Sequence, residues 1–256
     1  MDTLQHYLQL AREAALAACD VIMKVYGQDD FQIQDKADLS PLTAADQASH
    51  RTIKEILASS GLPFLSEEGR EIPYHERKDW PRFWLVDPLD GTKEFIKRNG
   101  EFAVNIALIE NQRAIMGVVA IPVSGVLYWG LEGLGAYKRV DGQDQAIRVQ
   151  AMPPQGMKVV ASRSHRDAQT DAYLAGLNQP EIVAMGSSLK FMLLAEGQAH
   201  LYPRFAPTME WDTAAPQAIL EIAGGSVMLS DQSQPLVYNK AELRNPFFIA
   251  QSQSFR

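Results

Sequence analysis

The 256-residue chain has a single cysteine, Cys19, so no disulfide can form within it. That scarcity fits a reducing compartment, and the Ala-Ala-Cys-Asp setting of Cys19, on a helical pattern, reads as a packed core thiol. No segment approaches the ~20 consecutive apolar residues of a membrane span. The start lacks the basic and then apolar regions of a secretory signal, since Arg12 and Glu13 precede any sustained apolar run. These absences predict a cytoplasmic protein and leave open peripheral attachment at the inner face of the cell membrane. Positive charge is also scarce. With 24 Lys and Arg against 31 Asp and Glu, the net charge of −7 excludes general binding of nucleic-acid polymers, which depends on clustered bases neutralising phosphates. An acidic chain acting on a small anion therefore needs metal ions and a local basic pocket.

A hydrophobic content of 46% at this length is enough for a substantial core, in one large domain or two tightly joined halves. Leu4, Leu8, Ala11, Ala15, Ala18, Ile22 and Tyr26 follow helical spacing, opened by an Asp2-x-x-Gln5 capping box and closed by Gly27. Thr43-x-x-Asp46 starts a second capped helix, which Gly61 ends. Strand signals follow at 63–66, 82–86, 102–109, 114–121 and 125–131, and their short connections favour antiparallel pairing. Past Met152-Pro-Pro154 the pattern alternates: strand 158–161, helix 167–177, strand 181–185, helix 188–196, strand 199–202, helix 213–223 and strand 226–229. The expected organisation is an α+β half over 1–152, with an antiparallel sheet, joined to a mixed α/β half over 153–256.

The segment from Trp84 to Phe95 holds the main chemical signal. Asp87 and Asp90 flank Pro88-Leu89 where an apolar strand breaks, and Gly91-Thr92 follows at once. Asp87, the Leu89 carbonyl and Asp90 offer the hard oxygen donors that Mg²⁺ takes alongside water and substrate phosphate. Gly91 permits close backbone approach, and a helix opening at Thr92 presents amide groups to an anion. Taken alone, Asp-Pro and Asp-Gly are ordinary turn dipeptides. Glu67-Glu68 read alone as a solvated face, and Asp212, in Glu210-Trp-Asp212, as a helix cap.

The order of the pieces, Asp46 in Thr43-Ala-Ala-Asp, then Glu67-Glu68, then Asp87-Pro-Leu-Asp-Gly-Thr92, then Trp211-Asp212, resembles the signature of the lithium-sensitive, magnesium-dependent phosphomonoesterases of the inositol monophosphatase superfamily. The likeness runs from about Lys36 to Ala223. Asp-Pro-Leu-Asp-Gly-Thr-Lys-Glu-Phe, Ser162-Arg-Ser-His165 and Tyr202-Pro-Arg204 are most similar to the 3′(2′),5′-bisphosphate nucleotidases of sulfate assimilation.

The resemblance implies a layered α-β-α-β-α sandwich of the sugar-phosphatase type with the site between its halves. It implies two Mg²⁺ ions, or three. Glu67, Asp87 and the Leu89 carbonyl would hold the first, Asp87 would bridge to a second held by Asp90 and Asp212, and Glu67 would share any third. Thr92 would bind the attacking water and, through its N–H, the phosphate, with Gly91 beside it. Asp46 would orient Thr92 and accept the relayed proton, and Glu68 would support the metal ligands by hydrogen bonding. Substrate choice is assigned to His165, to Ser187 and Lys190 at the start of a helix, and to Arg204, which suits a phosphate or a purine face.

One departure stands out. Glycine usually follows Trp-Asp-x-Ala-Ala in these enzymes, but here the residue is Pro216. If Asp212 caps the helix, Pro216 removes its first hydrogen bond and crowds the Asp212 carbonyl, whereas a helix starting near Ala215 accommodates it. The expected activity is hydrolysis of adenosine 3′,5′-bisphosphate to AMP and phosphate, with 3′-phosphoadenylyl sulfate as a further substrate. The alternatives are an inositol monophosphatase, whose motif has Asn where Glu94 stands, and a phosphonucleotide or metal sensor without turnover. The oligomeric state is not legible.

Overall fold

The computed structural model describes residues 3–28, 30–31, 33–35, 41–162 and 168–253. Helix α1 (Thr3–Tyr26) buries Leu8, Ala11, Ala14, Ala15, Ala18 and Ile22 along one stripe. Its alanines let it lie close against α2 (Ala44–Leu57). Asp2 lies outside the described residues. Between the two helices, β1 (Gln34–Asp35) and β2 (Pro41–Leu42) form a short antiparallel pair. As expected, Thr43 caps α2, and a left-handed Gly61 follows its last, 3₁₀ turn.

A seven-stranded sheet runs in the order β3 (Phe64–Ser66), β4 (Arg82–Asp90), β5 (Ala103–Glu110), β6 (Arg113–Ile121), β7 (Val126–Leu131), β8 (Gly135–Val140) and β9 (Gln143–Ala146). Helices α3 (Tyr74–Arg77) and α4 (Thr92–Ile96) lie in its connections. A five-stranded sheet has the order β11-β10-β12-β14-β13, formed by β10 (Lys158–Ser162), β11 (Glu181–Met185), β12 (Leu201–Arg204), β13 (Ser226–Leu229) and β14 (Phe248–Gln251). Helices α5 (Ala168–Ala175), α6 (Leu189–Ala195) and α7 (Glu210–Ile222) connect its strands.

Strand alternation sorts side chains into separate cores. Trp84 and Val86 of β4, with Val104 and Ile106 of β5, join the core beneath α1 and α2. Their neighbours Phe83, Leu85, Ala103 and Ala107 join a central core with α6, α7 and the second sheet. On the far side Val159, Leu201 and Ile249 meet Leu174 of α5. The result is the expected α-β-α-β-α stacking.

The sequence expectations need four corrections. The first sheet is not wholly antiparallel, because β3 pairs parallel with β4. The connection between them, 67–81 with α3, is long enough for the crossover that parallel pairing requires. Strand β4 does not break at Pro88 but continues to Asp90 through a register shift between Asp87 and Asp90, where a missing N–H costs no ladder bond. Strands β8, β9 and β14 carry too weak a pattern to be read from sequence. Helix α7 begins at Glu210 rather than at Thr213 or Ala215, so Pro216 sits inside it and Asp212 lies in its first turn rather than at the cap.

Helix α7 lies deep against the first sheet at two glycines paired across β6 and β7, Gly117 and Gly130. A Cβ on Gly117 would stand 2.1 Å from the Ala215 carbonyl oxygen, and one on Gly130 would stand 3.3 Å from the Ile219 Cα. Gly117→Ala therefore lowers stability by about 3 kcal/mol, the upper end for overpacking a core. Gly27→Ala, which meets only ordinary contacts at 3.6 Å, changes it by less than ~0.5 kcal/mol in the same denaturation measurement.

Candidate active site

The loop after β4 is held from two sides. The Asp87 carboxylate accepts the Leu89 N–H through Oδ1 at 3.0 Å, and Ser49 Oγ of α2 donates to the Pro88 carbonyl at 2.7 Å. Gly91 is left-handed, φ 97°, and a Cβ there would meet the Glu101 carbonyl oxygen at 3.1 Å, so glycine is required on both counts. Ser66, Glu67, Glu68 and Gly69 form a turn closed by the Gly69 N–H on the Ser66 carbonyl, and the Glu67 N–H donates to the Val86 carbonyl beside Asp87. Asp212 enters from α7, with Oδ2 accepting the Met209 N–H at 2.9 Å.

This convergence brings one carboxylate oxygen each of Glu67, Asp87 and Asp212 within 4.8 Å of one another. Burial, followed by the charges of Glu67, Asp90 and Asp212, pushes the Asp87 carboxyl well above its ordinary value. Burial, followed by Asp90 and Glu67, does the same to Asp212. The donor set fits Mg²⁺: all the oxygens are hard, and the spread is close to the ~4.2 Å across an octahedron with ~2.1 Å bonds. Leu89 is buried, and its carbonyl faces the Thr92 hydroxyl at 3.4 Å.

Thr92 opens α4 and donates from Oγ1 to Asp46 Oδ1 at 3.1 Å. Asp46 is 1% exposed, and its Oδ2 accepts both the N–H and the hydroxyl of Thr43, at 2.8 and 2.5 Å. Helix capping thus fixes the carboxylate that faces Thr92.

Asp90 stands outside the three-carboxylate group. Its Oδ2 accepts from Ser187 Oγ at 2.6 Å, from the Ser188 N–H at 2.6 Å and from Asn105 Nδ2 at 3.4 Å. The amide at the start of α6, expected to face a phosphate, is therefore occupied by a carboxylate, which takes the nearest donors. A cavity of about 140 Å³ extends from Asp90, Gly91 and Asp212 to Lys190, Tyr202 and Arg204. Lys190 is buried in its wall, with Nζ donating to the Ser187 carbonyl at 2.6 Å. Burial, and secondarily Arg204, draws its ammonium down to about 8 against the opposing pull of Asp90. Arg204 donates through Nη2 to the Pro207 carbonyl at 3.2 Å, and its buried Nε has no partner among the described residues. An unpaired guanidinium donor at such a cavity suits an anion. His165 lies outside the described residues.

The Inositol monophosphatase family model matches residues 3–252. The chain belongs to that family. It is 49% identical to the 3′(2′),5′-bisphosphate nucleotidase CysQ of Escherichia coli strain K12 over 96% of this chain and 98% of the relative. Among solved structures, CysQ from Bacteroides thetaiotaomicron aligns with a TM-score of 0.88 and 43% identity, covering 98% of each chain. An inositol monophosphatase from Anabaena aligns at 0.76 and 28% identity, over 99% of this chain and 92% of that one.

Beside these family positions, sequence reasoning missed Asn105, which is fully buried and ties Asp90 to Ser188 through a 2.8 Å bond from Ser188 Oγ. The signal was present, since Asn105 is the one polar residue in the run Ala103–Ile109.

Because the carboxyls of Asp87 and Asp212 are raised, the folded metal-free chain binds more protons than the unfolded chain above the ordinary carboxyl value of 3.8. The contribution of these two groups to stability therefore rises as pH falls from neutral toward that value. Asp87→Asn removes one of the repelling charges and raises the melting temperature in chelator, by roughly 2–4 °C for each kcal/mol relieved. The same variant loses most of the stabilisation that added Mg²⁺ confers. A lower melting temperature in chelator would show that repulsion does not govern the site.

Proposed function

We propose that the chain is a Mg²⁺-dependent 3′(2′),5′-bisphosphate nucleotidase of sulfate assimilation. It hydrolyses adenosine 3′,5′-bisphosphate to AMP and phosphate, with 3′-phosphoadenylyl sulfate as a further substrate. The observation that carries this reading is one cavity joining Asp90 and Asp212 to Lys190 and Arg204, with the Asp46–Thr92 pair behind Gly91. A single phosphate needs only the acidic end, whereas a second phosphate gives the basic end its purpose. The naming of the relatives as bisphosphate nucleotidases supports the same substrate class. A nucleotide substrate and a single cysteine support a cytoplasmic setting, and no helix among the described residues is long and apolar enough to cross a membrane.

Two Mg²⁺ ions are assigned to Glu67, Asp87, the Leu89 carbonyl, Asp90 and Asp212, with a third site at Glu67 as the alternative. When bound, the metal supplies charge neutralisation and acidifies water. The chain's own part begins at Thr92, whose hydroxyl proton points to Asp46 and whose oxygen lone pairs are left to accept from a water. As that water attacks, its proton passes to Thr92 Oγ1 and the Thr92 proton to Asp46. The two Thr43 donors hold the carboxylate in line for this transfer. Lys190 and Arg204 bind the phosphate that does not react. Glu68 supports the neighbouring Glu67 turn.

Phosphate release from adenosine 3′,5′-bisphosphate and inositol monophosphate, measured side by side, is expected to favour the nucleotide, to stop on rigorous chelation and to fall with millimolar Li⁺. Comparable preference for inositol monophosphate would overturn the substrate assignment. Asp46→Asn keeps shape but removes the proton acceptor, so kcat falls by roughly 10²–10⁴-fold with the fold intact. Arg204→Ala raises KM for the nucleotide by about 10-fold or more and spares kcat. Normal kcat in Asp46→Asn would reject the relay.

A further inference from the structure

Glu67 and Asp212 sit on different elements, and their like charges drive them apart. Glu67 is tied to β4 by its own N–H. Asp212 is tied only to the start of α7, so its placement depends on what anchors that helix end. Beside the Asn245 Nδ2 bond to the Met209 carbonyl and the Met209–Arg244 bridge, the charged anchor is Glu210, two residues earlier and fully buried. Its carboxylate accepts the Asn239 N–H at 2.7 Å, the Lys240 N–H at 2.9 Å and Lys240 Nζ at 2.6 Å. The loop carrying these donors is gripped from the opposite side by Arg77, on α3, in the connection that starts with Glu67. Arg77 Nη1 donates to Asn239 Oδ1 at 2.8 Å and to the Lys240 carbonyl at 2.7 Å, and Nη2 donates to the Ala241 carbonyl at 3.0 Å. Asn239 returns a bond from Nδ2 to the Arg77 carbonyl at 2.7 Å. Arg77 Nε holds the Ile72 carbonyl at 3.2 Å, which fixes the connection itself.

We propose that Arg77, Asn239, Lys240 and Glu210 form a bridge that sets the separation of Glu67 from Asp212, making them positioning residues for the divalent-cation site. The bridge closes around a second cavity, of about 350 Å³, that Glu67, Arg77, Trp211 and Ala241 line together. Every charged member either stays buried or is paired within it. Arg77 is 2% exposed and Glu210 0% exposed, so removing one partner leaves uncompensated charge rather than a harmless gap. The guanidinium's planar fork, spent on three carbonyls and an amide oxygen, cannot be reproduced by a lysine. Asn239 adopts φ 63°, a left-handed conformation that asparagine tolerates, which aims its side-chain amide back at Arg77. Without a cation, the bridge keeps the repulsion between the two carboxylates from separating them beyond a distance at which one ion could be bound. The proposal rests on the metal reading of the three-carboxylate group.

Its test is the affinity of the purified full chain for Mn²⁺, measured by calorimetry or by the spin signal of the free ion. Asn239→Gly keeps the backbone conformation open and deletes only the two side-chain bonds to Arg77, and Arg77→Met deletes every bond from the other end. Both are expected to weaken Mn²⁺ binding by about 10-fold to 100-fold, as loss of outer supports to metal ligands does. The Mg²⁺ concentration for half-maximal activity rises in parallel, while kcat at saturating Mg²⁺ falls by much less. Leu174→Ala, in the outer core beneath α5, lowers melting temperature to a similar degree and leaves Mn²⁺ affinity unchanged. Unchanged Mn²⁺ affinity in folded Asn239→Gly would overturn the bridge even if Arg77→Met does not fold. Absence of Mn²⁺ binding to the parent chain would instead overturn the metal reading and this proposal with it.

Discussion

Mutual repulsion among clustered carboxylates governs the architecture of this molecule. A like-charge pair about 4 Å apart costs roughly 4 kcal/mol at an effective dielectric near 20, a large share of the ~5–15 kcal/mol that stabilises a whole domain. Three such groups lie within 4.8 Å here, with Asp90 close enough to raise two of them further. Three of these four carboxylates are tied to backbone: Asp87 to the Leu89 amide, Asp212 to the Met209 amide and Asp90 to the Ser188 amide. The five layers supply the rigid elements from which those amides come, because no single helix or hairpin holds carboxylates so close against their own field.

The same constraint explains the division of charge. The chain as a whole is acidic, and the two cations that line the cavity lie at the end away from Asp90 and Asp212. Lys190 turns its ammonium toward carbonyls, and Arg204 keeps one nitrogen unpaired among the described residues. An anionic ligand thus meets carboxylates at one end and cations at the other, so only a ligand arriving with metal ions, or recruiting them, fills both ends without repulsion. Anion recognition in this chain is a local arrangement and owes nothing to net charge.

The sequence was most legible where local chemistry and tertiary role coincide. Thr43-x-x-Asp46 is a capping box whatever surrounds it, and the fold uses the same carboxylate to face Thr92. The alternation of Phe83, Trp84, Leu85 and Val86 likewise carries the two-core layering in four residues. Legibility failed where a distant partner decides. Nothing near Phe64 says that β3 lies parallel to β4, since the choice is made by a connection ending at Pro81. Pro88 and Pro216 argue locally for breaks, yet one occupies a bulge and the other the interior of a packed helix, where burial overrides propensity. The partners of Asp90 come from residues 105, 187 and 188, a juxtaposition that only the fold creates. The four-part acidic signature reached across such distances only through resemblance to the family.

The paired glycines under α7 act as a depth gauge. Ala215, whose carbonyl settles over Gly117, lies one helical turn beyond Asp212, so the absence of one methyl group sets how far that carboxylate descends toward Asp87. Reactivity in this fold is therefore tunable from beneath the helix, by a residue that never meets solvent, substrate or ion. Variation at position 117 and at position 215 must be matched in volume, and any lineage that enlarges one without shrinking the other shifts its acid cluster before it alters a single ligand.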